Sequence, residues 1–152
     1  MAQISKSIVI NRPIAEVFDV ATCLQRCVVW QSQIVATHKV STGPVGVGTE
    51  YEHNASFFGV MVKTHPVITR WEPPYHSEYE NSSGPVTFNV KFTFQEVDGG
   101  TQFDSVFESD VPNLLGYLGD KLWSDLNERQ YETDLEALKH MMESEVPITA
   151  PD

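Results

Sequence analysis

PNLLGYLGDKLWSDLNERQYETDLEALKHMME, residues 112–143, is the stretch whose reading decides the fold. Asp110, Val111, Pro112 and Asn113 form its entry, where a short polar side chain caps free amides and a proline in the first turn gives up no hydrogen bond. Leu115, Leu118, Leu122 and Leu126 recur at spacings of three and four, the period of one helix face. Tyr131, Leu135, Leu138 and Met142 make a second stripe, which at 100° per residue lies about 150° around the helix from the first. The two halves of a helix over 112–143 are therefore expected to meet different surroundings. No other helical pattern of this length exists in the chain, so the helix is placed to close whatever precedes it.

What precedes it is mostly strand. Working back, Thr101–Glu108 carries Phe103, Ser105 and Phe107 on one side, and Asp98-Gly99-Gly100 turns it onto Val86–Val97. In that strand Phe88, Val90, Phe92 and Phe94 alternate with Asn89, Lys91 and Thr93, the clearest period-two pattern in the chain. Tyr75–Glu80 comes before a turn at Asn81-Ser82-Ser83-Gly84-Pro85. Val60–Trp71 reads as one longer strand that bulges at Pro66, because proline cannot donate to a ladder. In Thr49–Phe57, Tyr51, His53, Ala55 and Phe57 alternate with Glu50, Glu52 and Asn54. Ile34–Val40 lies before it, across the Gly43–Gly48 turn. Two short helices, from Ile14 and over Thr22–Val29, separate these strands from the first, Ile4–Ile10. The sum is an α+β domain: a seven-stranded antiparallel sheet with one apolar face, two short helices between strands 1 and 2, and the long C-terminal helix. Residues 1–144 form a single domain and 145–152 a tail.

Composition narrows the function. The 152 residues carry 10 Lys plus Arg against 21 Asp plus Glu, a formal net charge of −11. That balance disfavours the phosphate backbone of nucleic acid and anionic lipid surfaces. No stretch approaches the roughly 18 apolar residues of a membrane span, and Met1–Lys6 has no basic segment leading into an apolar run. A cytoplasmic protein with no nucleic-acid partner and no membrane span is expected, as monomer or homodimer. The two cysteines, Cys23 and Cys27, are four apart; lacking further ligands nearby, they are expected to be thiols that bind no metal.

Several short motifs share their order with a known family. Ile8-Val9-Ile10-Asn11-Arg12-Pro13-Ile14-Ala15-Glu16-Val17-Phe18, Trp30, Gly46-Val47-Gly48-Thr49, Trp71-Glu72-Pro73-Pro74, Phe92-Thr93-Phe94 before Gly99-Gly100-Thr101, and Asp134-Leu135-Glu136-Ala137-Leu138-Lys139 together resemble the polyketide cyclase/dehydrase branch of the SRPBCC (START and Bet v 1-like) superfamily. The resemblance spans about Ile4 to Glu143. It implies a helix-grip fold, in which the sheet wraps around the long helix and leaves a mostly apolar cavity for a lipid, polyketide or similar molecule. It does not choose among carriers, cyclases and protein-binding co-chaperone-like members, since one fold hosts all of them.

Strand parity supplies the candidate site. Tyr51, His53 and Ser105 are the polar residues it puts on the inner face, with Phe92, Phe94 and Phe107 as apolar wall and Trp123 and Leu126 on the helix opposite. An imidazole there can move protons on an enolisable carbonyl and Tyr51 can donate to an oxyanion, so the pair is the catalytic candidate; His53 as a hydrogen-bonded core histidine is the alternative. So few inner polar groups favour binding of a hydrophobic small molecule over cyclase, aromatase or dehydratase chemistry, and no cofactor or metal is implied. A nucleophile triad, a phosphate loop and a metal-ligand cluster are all missing from the sequence, which disfavours hydrolase, kinase and metalloenzyme classes.

Overall fold

The computed structural model describes residues 2–57, 59–110 and 120–144. Strands are β1 (Ala2–Ile10), β2 (Ile34–Lys39), β3 (Tyr51–Phe57), β4 (Val60–Thr64), β5 (Val67–Glu72), β6 (His76–Asn81), β7 (Phe88–Val97) and β8 (Gly100–Ser109). Helices are α1 (Ile14–Thr22), α2 (Cys27–Trp30) and α3 (Asp120–Glu143), with a 3₁₀ turn over Leu24–Arg26. Every strand pairing is antiparallel, in the orders β1-β8-β7-β6-β5 and β2-β3-β4.

Among the described residues the expected single seven-stranded sheet is thus eight strands in two sheets, and Pro66 is the reason. Val60–Trp71 divides at His65-Pro66 into β4, which pairs with β3, and β5, which pairs with β6. The register survives the corner: Glu50 bridges Val67, Tyr51 N–H donates to the Pro66 carbonyl at 2.9 Å, and Ile68 N–H to that of Thr49 at 3.0 Å. Asn81 plugs the bend. It is buried, its Oδ1 accepts the His65 amide at 2.9 Å, and its Nδ2 donates to the carbonyls of Ser83 and Val86. One side chain thus satisfies the His65 amide at the corner and two carbonyls of the β6–β7 connection.

Alternation holds on the strands as read. Phe88, Val90, Phe92 and Phe94 on β7, Phe103, Ser105 and Phe107 on β8, and Tyr51, His53, Ala55 and Phe57 on β3 are all buried. Rings fill the space under the sheet: Phe94 stacks on Phe103 at 4.9 Å, Phe92 meets Phe103 edge-on at 5.0 Å, and Phe18 of α1 sits 5.2 Å from Phe94. At the β7–β8 turn a Cβ on Gly100 would lie 2.1 Å from the Ile10 carbonyl oxygen, so only glycine lets the end of β1 come this close.

The second expected stripe of the long helix holds, with Leu135, Leu138 and Met142 buried and Tyr131 packed against the core, but the first half packs in a different phase from the one expected. Leu122 is 48 % exposed, whereas Trp123 and Asn127 are fully buried. Trp123, Asn127, Tyr131, Asp134, Leu138 and Met142 make one continuous stripe of about 40° drift per four residues, so the helix has a single inner face and not two. Hydrogen bonds hold Asn127 in its buried place, its Nδ2 donating to the Trp123 carbonyl at 3.0 Å and its Oδ1 accepting from Gln33 at 2.9 Å. A leucine count could not see that polar residues hold this face. The stretch 111–119, with Leu115, Leu118 and the expected helix entry, lies outside the described residues, as does the tail from 145.

Candidate functional site

A cavity opens where the inner face of the sheet, the α2–β2 connection and α3 converge. Its sheet wall is His53, Ala55 and Phe57 of β3, Thr64 of β4, Tyr79 of β6, Phe88 and Val90 of β7, and Phe107 of β8. Gln31, Gln33 and Ile34 come from the α2–β2 connection, and Tyr131 and Asp134 from α3. The space open to the centre of a water-sized sphere is about 30 Å³, room for about two waters. The aromatic side chains account for its size: Phe88 lies 5.9 Å from Phe107, and Phe107 lies 5.5 Å from Tyr131, ring to ring.

The polar groups are held from several elements. His53 is 1 % exposed, its Nε2 has no hydrogen-bond partner among the described residues, and burial pushes its pKa down to about 4, so the imidazole is neutral at pH 7. Thr37 on β2 and Thr64 on β4 are its direct cross-strand neighbours, and the Oγ1 of each is likewise buried without a partner. Directly opposed residues on adjacent strands have Cβ atoms about 4.5–5.5 Å apart, so Thr37, His53 and Thr64 form one polar row. Across the cavity, Asp134 Oδ1 accepts from the Ser32 amide at 3.3 Å and from Gln130 Nε2 at 3.1 Å. Burial raises the Asp134 carboxyl above its ordinary value, and those hydrogen bonds work against the rise. Burial, with Asp134 adding to it, raises the Tyr131 phenol, and burial raises that of Tyr79 well above its usual range.

The sequence candidates divide. His53 and Phe107 line the cavity; Tyr51, Phe92, Phe94, Ser105, Trp123 and Leu126 do not. Tyr51 is buried two residues along β3, with burial and the Cys23 and Cys27 thiols pushing its pKa up to about 12, which leaves it a neutral core phenol. Phe92 and Phe94 are taken up by the ring cluster, and Ser105 sits opposite Phe92 on β8 under it. Trp123 is fully buried with its indole N–H unpartnered, not at a wet mouth, and Leu126 is half-buried. The inner polar set is larger than parity alone gave, because Gln31, Gln33, Tyr131 and Asp134 come from a loop and a helix. Asp134 was findable: it stands three residues after Tyr131 and four before Leu138, on the same stripe. Cys27 is buried, accepts from Gln31 Nε2 at 3.2 Å, and is raised by burial. No group of three or more His, Cys, Asp or Glu is arranged to hold a metal among the described residues.

A sheet folded over one long helix is also what comparison with known proteins finds. The model of the family described as polyketide cyclase / dehydrase and lipid transport matches residues 1–143. The chain belongs to that family. Solved structures with this fold include a START superfamily protein from Mycobacterium smegmatis, 11 % identical, with a TM-score of 0.74 over 93 % of this chain and 97 % of that one. A Thermus thermophilus protein is 16 % identical, with a TM-score of 0.71 over 94 % and 100 %. Ara h 8.0201 is 15 % identical, with a TM-score of 0.64 over 94 % and 99 %. At these identities the likeness speaks for the fold alone. A comparison with curated proteins gives no match. Family membership agrees with the helix-grip reading and with a hydrophobic-ligand or cyclase-type role. No helix among the described residues is long and apolar enough to cross a membrane.

Proposed function

We propose that this chain binds a small hydrophobic molecule in the cavity between the sheet and α3. The observation that carries the reading is the contrast within the cavity wall, where aromatic side chains stand beside His53 and Thr64, whose buried Nε2 and Oγ1 have no hydrogen-bond partner among the described residues. Buried polar atoms without partners cost about 1–3 kcal/mol each, a cost that a ligand can relieve. A benzene-sized guest needs about 150 Å³, so the wall must yield on binding. The side that can yield is the one built from Gln31, Gln33, Ile34 and Tyr131, each only half-buried.

Cyclase-type catalysis is the second reading, favoured by the same unpartnered Nε2. A general base works best with a pKa near the working pH, and a value of about 4 makes His53 a weak base, which places hydrogen bonding ahead of proton abstraction. Native mass spectrometry of the purified chain is expected to show a co-purified small molecule or, after extraction, saturable uptake of an aromatic ligand. Ala55→Leu, which fills the cavity from β3, is expected to weaken that uptake more than tenfold with unchanged circular dichroism. Uptake equal to wild type in Ala55→Leu would place binding elsewhere. The cyclase reading gains if a poly-β-ketone is turned over and His53→Ala slows the turnover by about 10².

A further inference from the structure

Building on that cavity, we propose that it selects neutral, hydroxyl-bearing molecules, whose oxygen docks on His53 and Thr64, and discriminates against carboxylates. Two independent features point there. The first is the polar row. His53 Nε2 and Thr64 Oγ1 belong to residues that are 1 % and 2 % exposed and line the cavity, and both atoms lack a partner among the described residues. A ligand hydroxyl donates and accepts, so it satisfies Nε2 in either imidazole tautomer and takes a hydrogen bond from Thr64 in the same position. A carbonyl can only accept, and serves one tautomer.

The second feature is charge. Among the described residues no Lys or Arg lines the cavity, and the one lining carboxyl, Asp134, stands on the opposite wall. Lys6 of β1 is held by Glu132 of α3 at 2.7 Å. With burial keeping His53 neutral, nothing in the wall compensates a buried anion, and an unpaired charge in apolar surroundings is strongly disfavoured. A fatty-acid carboxylate buried head first therefore finds no counter-ion, while a phenol or alcohol finds two hydrogen-bond partners.

Three probes with one skeleton separate these effects: toluene, 4-methylphenol and 4-methylbenzoate, titrated calorimetrically at pH 7.5. The expected order is 4-methylphenol tighter than toluene by about fivefold to tenfold, the worth of a net hydrogen bond to a buried group, with 4-methylbenzoate at least about tenfold weaker than 4-methylphenol. Thr64→Val and His53→Leu are each expected to bring 4-methylphenol to within about twofold of toluene bound to the same variant. Retained toluene binding shows that the pocket is intact, and Thr64→Val, being nearly isosteric, keeps the test open if His53→Leu does not fold. Carboxylate binding as tight as the phenol, or a phenol no better than toluene, would overturn the proposal and leave the cavity reading standing. Failure of all three probes to bind would remove the cavity reading itself.

Discussion

His53 joins burial, a missing partner and a depressed pKa in one side chain, and stability should report it. Its ordinary value is 6.5 and its folded value about 4, so between those pH values the unfolded chain binds the proton and the folded chain does not. Stability is unaffected by His53 above about pH 6.5 and is lost as pH falls toward 4, by up to about 3 kcal/mol. Asp134 works in the opposite sense, since a raised carboxyl takes up its proton first in the folded state. Comparing wild type with His53→Leu cancels Asp134 and every other carboxylate. Urea unfolding at pH 7.5 and 4.5 is expected to show a wild-type loss larger than that of His53→Leu by about 2–3 kcal/mol. Equal losses would mean that the imidazole is solvated and that the polar row does not exist as described. His53 itself was legible from sequence because strand parity is strict: a one-residue slip would have turned Tyr51, His53, Ala55 and Phe57 outward together, and all four are buried.

Helices are less forgiving to read than strands, and α3 shows why. Four leucines at regular spacing outweigh an asparagine and an aspartate in any apolar count, yet Asn127 and Asp134 are buried because the α2–β2 connection brings Gln33 and the Ser32 amide to them. Those partners are 94 and 102 residues away in sequence, so the phase of the helix was set by contacts that periodicity does not contain. The error carried into the site, where Tyr131 and Asp134 line the cavity and Leu126 and Trp123 do not. By contrast the strand alternation and the β7–β8 hairpin follow from local chemistry and were legible, whereas Pro66, read as a bulge within one strand, divides it into β4 and β5. The stripe makes a direct test. Leu138→Ala removes a fully buried side chain and is expected to cost about 2–5 kcal/mol, while Leu122→Asp, at a position 48 % exposed, should cost no more than about 0.5 kcal/mol. Denaturant midpoints that ranked the two the other way would restore the leucine phase.

On the scale of the whole molecule, the fold fills its interior with rings. Phe18, Trp30, Phe92, Phe94 and Phe103 form a continuous aromatic packing at one end, and the cavity is what remains at the other, bounded by Tyr79, Phe88, Phe107 and Tyr131. This cavity leaves about 30 Å³ open between those rings. Phe88 is the ring to remove, because it contacts both Tyr79 at 6.4 Å and Phe107 at 5.9 Å and lies on the cavity wall. Phe88→Ala is expected to cost about 3–5 kcal/mol, which a domain stabilised by about 5–15 kcal/mol can survive. The vacated space joins the existing cavity, so a two-ring ligand such as 2-naphthol should bind the variant at least about tenfold tighter than wild type. It should also raise the melting temperature of the variant as its concentration rises above Kd, since a ligand that binds only the folded state stabilises it by mass action. A destabilised variant that no such ligand rescues would mean that the neighbouring rings collapse into the gap, and that the size of the cavity is set by the packing of α3 against the sheet and not by Phe88.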